Sequence, residues 1–245
     1  MNLYNNEFYE NRHKNTLHAA ETILSIVQGV IPEIKSAVDL GCGVGTWLYV
    51  LGQRGAADIC GVDGDWVNRE YLKIPEEKFI NHTLSEGVPG IDRTFDLAIS
   101  LEVAEHLPQG YAKGFVSLLT SLSDFVLFSS AIPGQAGEGH INEQWLDYWI
   151  SLFSDRGYTG FDVIRKSIWN DTAIKFWYRQ NTLLFTKNER IKDLKFEGSS
   201  NDHTPPEVYL LSFKRATALP GIKQSLKGLF QAFGRRIRQS PGVDG

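Results

Sequence analysis

Residues 37–47 read Ala37-Val38-Asp39-Leu40-Gly41-Cys42-Gly43-Val44-Gly45-Thr46-Trp47, AVDLGCGVGTW. An apolar run of strand character enters a turn with glycine at alternate positions, and helical spacing resumes at Thr46. Glycines after a strand let a ligand lie against bare backbone, while the next helix presents unpaired N–H groups and the positive end of its dipole. A nucleotide-like ligand is implied. The turn lacks the Gly-Lys-Ser/Thr ending of a phosphate-binding loop, which removes that reading. The dinucleotide fingerprint G-x-G-x-x-G is met only in part, because Thr46 stands where its last Gly or Ala would be.

Reading outward, ADICGVDGD (57–65) is a second strand ending in acids. Asp63 lies about 20 residues past the turn, where a carboxylate can accept hydrogen bonds from both hydroxyls of a ribose; the plainer alternative is that Asp63 and Asp65 shape a turn and cap a helix. Upstream, Leu17, Ala20, Leu24 and Val27 space an opening helix, with Gly29 and Pro32 as stop signals. A short helix over Thr46–Arg54 stops at Gly55. Further strands are expected at KFINHTL (78–84), FDLAISL (95–101), DFVLFSSA (124–131), FDVIR (161–165) and NTLLFTK (181–187). Between them, Tyr111, Phe115, Leu118, Leu119 and Leu122 mark one helix, and Trp145, Tyr148, Trp149, Leu152 and Phe153 another, capped by Asn142 and ended by Gly157. Alternating strands and helices predict an α/β fold with a mostly parallel, doubly wound sheet and an antiparallel final hairpin.

A chain of 245 residues accommodates one such domain with appendages. No apolar run approaches the roughly 18 residues of a membrane span, and MNLYNNEFYENRHK has neither the apolar core nor the cleavage site of a signal peptide. A cytoplasmic protein is expected. Cys42 and Cys60 sit in apolar strand contexts that favour reduced core thiols over a disulfide. Residues 214–243 hold seven Lys or Arg and no acid, leaving 18 bases against 29 acids elsewhere, a balance of −11 that disfavours nucleic acid as a partner. The chain divides into an N-terminal lid and helix (1–35), a core domain (36–187), a polar loop or extension (188–219) and a basic tail (220–245). In that tail Ile222, Leu226, Leu229, Phe230, Phe233 and Ile237 form a helical stripe. The stripe fits docking on protein, including self-association, or peripheral attachment to an anionic membrane.

VDLGCGVGTW, GVDGD and FDLAISLEVAEHLP, in this order and spacing, resemble the motifs of class I S-adenosylmethionine-dependent methyltransferases across residues 36–187. The resemblance implies a Rossmann-like, seven-stranded sheet, mostly parallel with an antiparallel last strand. It implies S-adenosylmethionine as cofactor, with Gly41 and Gly43 near the methionine part and Asp63 on the ribose. The implied donor-binding set is Asp39, Gly41, Cys42, Gly43, Asp63, Gly64, Leu101 and Glu102. GHINEQWLDYWISLFSDRGY with WYRQN resembles a bacterial subgroup associated with glycan or secondary-metabolite pathways. Where many relatives place an acid after strand three to meet the adenine amine, this chain has His82-Thr83-Leu84.

Methyl transfer to a hydroxyl requires alignment, exclusion of water and removal of one proton. Glu102, Glu105 and His106 follow strand four, and His140 follows strand five at the same edge of the sheet. His140 lies in a glycine-rich loop, and imidazole is the side chain suited to taking a proton near neutrality. It is the candidate general base; the bland alternative is a cap for a helix beginning near Glu143. The four side chains also suit a divalent metal that would acidify an acceptor hydroxyl, and a similar E-x-x-E-H pattern with a downstream histidine serves as a metal site in small RNA 2′-O-methyltransferases. The metal-free reading is favoured. Tyr4, Phe8 and Tyr9 before the opening helix, and Trp169, Trp177 and Tyr178 beside the late strands, are candidates for a lid and acceptor pocket. Trp47 fits a core position better than a cofactor contact, and His13, His18, His82 and His203 receive no role. The expected activity is O-methylation of a small molecule or glycan intermediate. The alternatives are a metal-dependent RNA 2′-O-methyltransferase and a non-catalytic scaffold of the same fold.

Overall fold

A computed structural model describes residues 6–87 and 90–195. All belong to the first of two compact units, Met1–Leu210; the second, Leu211–Gly245, lies outside the described residues together with His203, Tyr4 and the tail stripe. Helix α1 (Asn6–Val30) precedes β1 (Ser36–Leu40), α2 (Thr46–Gln53), β2 (Asp58–Asp63), β3 (Phe79–Asn81) and β4 (Leu97–Leu101). Then come α3 (Ala112–Leu122), β5 (Phe125–Ser129), α4 (Leu146–Ser154), β6 (Tyr158–Phe161), α5 (Arg165–Ile168), α6 (Phe176–Asn181) and β7 (Leu183–Lys187).

The sheet has seven strands in the order β3-β2-β1-β4-β5-β7-β6, and only β7 runs against its neighbours. Val38 of β1 pairs with Cys60 on one side and Ala98 on the other, so β1 and β4 are central. The chain moves outward from β1 to β3, then returns to β4 and proceeds the other way. The switch point between β1 and β4 is where an open α/β sheet opens a crevice beyond its strand ends. Central strands are buried on both faces, which explains their continuous apolar composition.

Helix α1 buries Ala20, Leu24 and Val27 of the predicted stripe, with Leu17 partly buried and Ala19 and Ile23 added to it, against the core that also holds Leu48 and Leu51 of α2. Each fully buried Leu or Ile contributes about 1.5–3 kcal/mol. Gly29 does not stop this helix; it runs to Val30, and Pro32 supplies the break. Its earlier start places Phe8 and Tyr9 within the helix, not before it.

Several expected boundaries move. Strand β6 is YTGF, not FDVIR: Phe161 ends it, and the Asp162 carboxylate accepts from Arg165 Nε at 2.9 Å and Nη2 at 2.6 Å, turning the chain into α5. Asn142 caps no helix. Helix α4 begins at Leu146, and the Asn142 amide, buried, donates to Ala104 O at 3.3 Å. Trp145 is 54% exposed, whereas Trp149 and Phe153 are fully buried around Phe128 and Phe185. The polar extension opens with a 3-10 turn over Asn188–Asp193, and Leu194 enters the core. Residues 196 onward lie outside the described residues.

Candidate active site

The glycine turn is built as the alternate spacing requires. Gly41, Gly43 and Gly45 have φ of 85°, 55° and 81°, all in the left-handed region that side-chain-bearing residues avoid. Gly41 is also close-packed: a Cβ there would run into both branches of Val103, just past β4. The turn is tied to β2 by Gly41 N donating to Val62 O at 2.8 Å and by Cys42 N donating to the same oxygen at 3.1 Å. Asp63, buried at the end of β2, accepts from Gly43 N through Oδ2 and from Gly64 N through Oδ1, each at 2.7 Å. Asp63 therefore braces the turn, and each oxygen keeps a lone pair for a further donor.

Beside the turn is a small cavity of about 20 Å³, bounded by Thr16, Asp39, Gly41, Cys42, Trp47 and Tyr178, with Leu101 on its wall. Asp39, Cys42 and Leu101 are all buried there. Burial, followed by the nearby Asp39 and Asp63 charges, pushes the Cys42 thiol well up, which keeps it a neutral packing group. Trp47 is a core residue that also lines this cavity, edge-on to the Tyr178 ring at 5.5 Å. Gly64 lies under the indole of Trp66, where a Cβ would overlap the ring. Helix α1 borders this cavity through Thr16. That helix reaches the site through His13 Nδ1, 3.1 Å from Thr46 Oγ1, and is fixed to the β6–β7 connection by His18 Nε2 at 2.8 Å from Asp171 Oδ2. Neither histidine carries a spacing signal. His82 hydrogen-bonds Gly87 O at 3.1 Å, and its backbone N donates to Asp63 O at 2.8 Å.

The second part of the site follows β4 and β5. Glu102 adopts φ 57°, a strained conformation for a residue with a Cβ, and its backbone N donates to the Oγ and O of Ser129, each at 3.1 Å. Its carboxylate accepts from Gln135 Nε2 at 2.8 Å and from Asn181 Nδ2 at 3.3 Å, while the Asn181 amide also donates to Gln135 Oε1 at 2.8 Å. Burial raises the Glu102 pKa, and the bonds from Gln135, Ser129 and Asn181 oppose that rise. Glu102 is engaged by this network and is not among the residues whose donor atoms cluster.

The other three candidates converge. Ile141 N and Asn142 N both donate to Glu105 O, at 2.9 and 3.0 Å, pinning the loop after β5 onto the 3-10 turn Ala104–His106. The His106 and His140 rings consequently meet edge to face at 4.9 Å between centroids. Donor atoms of Glu105, His106 and His140 lie within 4.8 Å of one another, so these residues could hold a cation. Glu105 is fully buried; Ser130 Oγ donates to its Oε2 at 3.2 Å, while Oε1 is 4.0 Å from His140 Nε2. Burial first, and then the Glu102 charge, push the Glu105 carboxyl up to about 8, so it favours the protonated form at neutrality. His140, its side chain 12% exposed, hydrogen-bonds Glu143 through Nδ1 at 3.0 Å. Glu143, Gln135, Asn181 and Ser130 are the site residues that spacing alone did not single out. Of the late aromatics, Tyr178 is buried, Trp177 is partly buried and Trp169 is 57% exposed.

Comparison with known proteins agrees with this architecture. A family model for the methyltransferase domain matches residues 12–171, more than half of the sequence, and the chain belongs to that family, the class I S-adenosylmethionine-dependent methyltransferases. Magnesium protoporphyrin IX methyltransferase from Synechocystis, solved with bound SAH, is 20% identical; the match covers 71% of this chain and 84% of that one, with a TM-score of 0.51. A SAM-dependent methyltransferase from Archaeoglobus fulgidus is 17% identical over 75% of this chain and 100% of that one, with a TM-score of 0.52. At these identities the likeness is one of fold. No curated protein matches the sequence. Among the described residues, no helix is long and apolar enough to cross a membrane.

Proposed function

We propose that this enzyme methylates a hydroxyl oxygen of a small molecule or glycan intermediate, with S-adenosylmethionine as donor and His140 as general base. The observation that carries the reading is the placement of His140: Nδ1 is engaged by Glu143, and Nε2 is directed into the Glu105–His106 cluster at the edge of the sheet that also carries the glycine turn. The residues present suit the donor. Carboxylates of Asp39 and Asp63 match an ammonium group and a ribose diol, and the left-handed glycines allow close backbone approach.

When bound, S-adenosylmethionine supplies an electrophilic methyl group on a cationic sulfonium. Asp63 would hold the nucleoside side of the crevice, and Asp39, Gly41 and Gly43 with Leu101 would border the methionine side. His140 takes at Nε2 the proton that the acceptor hydroxyl loses on methylation.

A second reading, a divalent cation on Glu105, His106 and His140 acting on RNA, is supported by the closeness of their donor atoms. The engagement of Glu102 by Gln135 and Asn181 leaves that set one carboxylate short of the four candidates. Methyl uptake from labelled donor, screened over sugar nucleotides, glycans, phenolic acids and RNA with and without chelator, tests both. The expected result is chelator-resistant transfer to a hydroxylated small molecule or glycan; chelator-sensitive transfer to RNA would replace it with the second reading.

A further inference from the structure

Glu143 stands three residues beyond His140 and bonds to both ends of the segment 134–140 within the connection between β5 and α4. Its Oε2 accepts from Gly134 N at 2.8 Å, and its Oε1 lies 3.0 Å from His140 Nδ1. An ionised carboxylate has no proton to give, so the imidazole nitrogen must be the donor. The His140 bond, followed by the Gly134 N–H, holds the Glu143 carboxyl below its ordinary range, consistent with an ionised acceptor. The ring has little freedom otherwise. A Cβ on Gly137 would overlap the His140 imidazole, and the His106 ring stands against its side at 4.9 Å between centroids.

We infer that Glu143 is a positioning residue that fixes His140 as the Nδ1–H tautomer, leaving the Nε2 lone pair directed into the Glu105–His106 cluster, where the general-base reading puts the acceptor hydroxyl. This rests on the reading of His140 as general base. The opposite tautomer would carry its proton on Nε2, and the ring could then take none from an acceptor hydroxyl until it had turned over or exchanged. Gly137 and His106 obstruct turning. Glu143 thus selects the reactive nitrogen, and without it the neutral ring distributes its proton over both nitrogens. Of the other carboxyls near this ring, Glu105 is 4.0 Å from Nε2 and does not compete for Nδ1, and the Glu102 carboxylate is held by Gln135 and Asn181.

The test uses the full chain saturated with S-adenosylhomocysteine and labelled with ¹⁵N-histidine, at a pH where the His140 ring is neutral. His140→Gln identifies its resonances. The expected wild-type spectrum has a pyrrole-type Nδ1 and a pyridine-type Nε2. Glu143→Ala should move both resonances toward the averaged positions of mixed tautomers, and Glu143→Asp should restore part of the preference. Affinity for S-adenosylhomocysteine should stay within about twofold, because no donor-side group is touched. With an acceptor from the screen, Glu143→Ala should lower kcat about 10- to 100-fold with little change in KM, a part of the 10²–10⁴ that general base catalysis supplies. Native His140 resonances in Glu143→Ala overturn the inference, even if the variant melts earlier, since Glu143 would then be a loop brace alone. If Glu143→Ala shifts the tautomer but His140→Ala retains full turnover, the tautomer assignment stands and the general-base reading fails.

Discussion

The carboxylate of Asp63 joins two stretches of backbone that follow different strands, accepting from Gly43 N after β1 and from Gly64 N after β2, each at 2.7 Å. The acid that meets the ribose in this reading is therefore also the brace of the glycine turn. Removing it should weaken the ligand and the protein together. Charge-assisted hydrogen bonds of this kind contribute about 1.5–3 kcal/mol. Asp63→Ala should lower affinity for S-adenosylhomocysteine at least about tenfold by calorimetry. It should also lower the melting temperature of the free protein by about 2–4 °C for each kcal/mol lost. Unchanged affinity would remove the ribose assignment while leaving the brace intact.

Gly41 combines a φ of 85° with a Cβ position that collides with Val103. Gly41→Ala should destabilise the domain by about 1–3 kcal/mol from backbone strain, with the collision added. Pairing it with Val103→Ala should relieve only the collision. Thermal melts of the single and double variants read the difference; full recovery in the double variant would show that backbone conformation is not the constraint.

His140→Ala should reduce turnover roughly 100-fold or more while leaving donor affinity nearly intact, because the residue acts on the acceptor proton alone. Chelation should leave wild-type activity unchanged. Loss of activity on chelation, restored by Mg²⁺ or Mn²⁺, would transfer His140 from base to ligand.

Glu105 links the site to pH. Its carboxyl, raised to about 8 by burial and the Glu102 charge, binds a proton in the folded chain that the unfolded chain has already released above about 4.5. The folded state then holds more protons, so stability falls as pH rises. The contribution is complete below pH 4.5 and is lost on passing through pH 8. Chemical denaturation across that window should show wild-type stability declining relative to Glu105→Gln, which cannot ionise. Parallel profiles would mean that Glu105 is ionised throughout.

The first half of the fold was legible because its signals are local. Alternating glycines, the acids ending GVDGD and the stripe from Leu17 to Val27 each sit within one element and point to one geometry. The second half depends on distant partners. Phe161, Val163 and Ile164 have strand character, but β6 ends at Phe161 because the Asp162–Arg165 pair turns the chain there. WYRQN shows aromatics without a stripe, since α6 spans only Phe176–Asn181. In the site, Glu105, His106 and His140 could be found from residue type and position after strands four and five. Gln135 and Asn181, which engage Glu102, have no pattern that marks them, because their contact joins a loop to a helix 46 positions along the chain.

The antiparallel strand has a consequence for synthesis. Strand β7 lies between β5 and β6, although both are made before it. Until residues 183–187 emerge from the ribosome, β5 presents an open edge and β6 has no partner strand in the sheet. Open edges of apolar strands are the surfaces on which nascent chains associate wrongly. The final strand acts as a keystone: the sheet closes only when nearly the whole domain is outside the tunnel, and a chain stopped short of Leu183 carries two unsatisfied edges in place of none between β5 and β6.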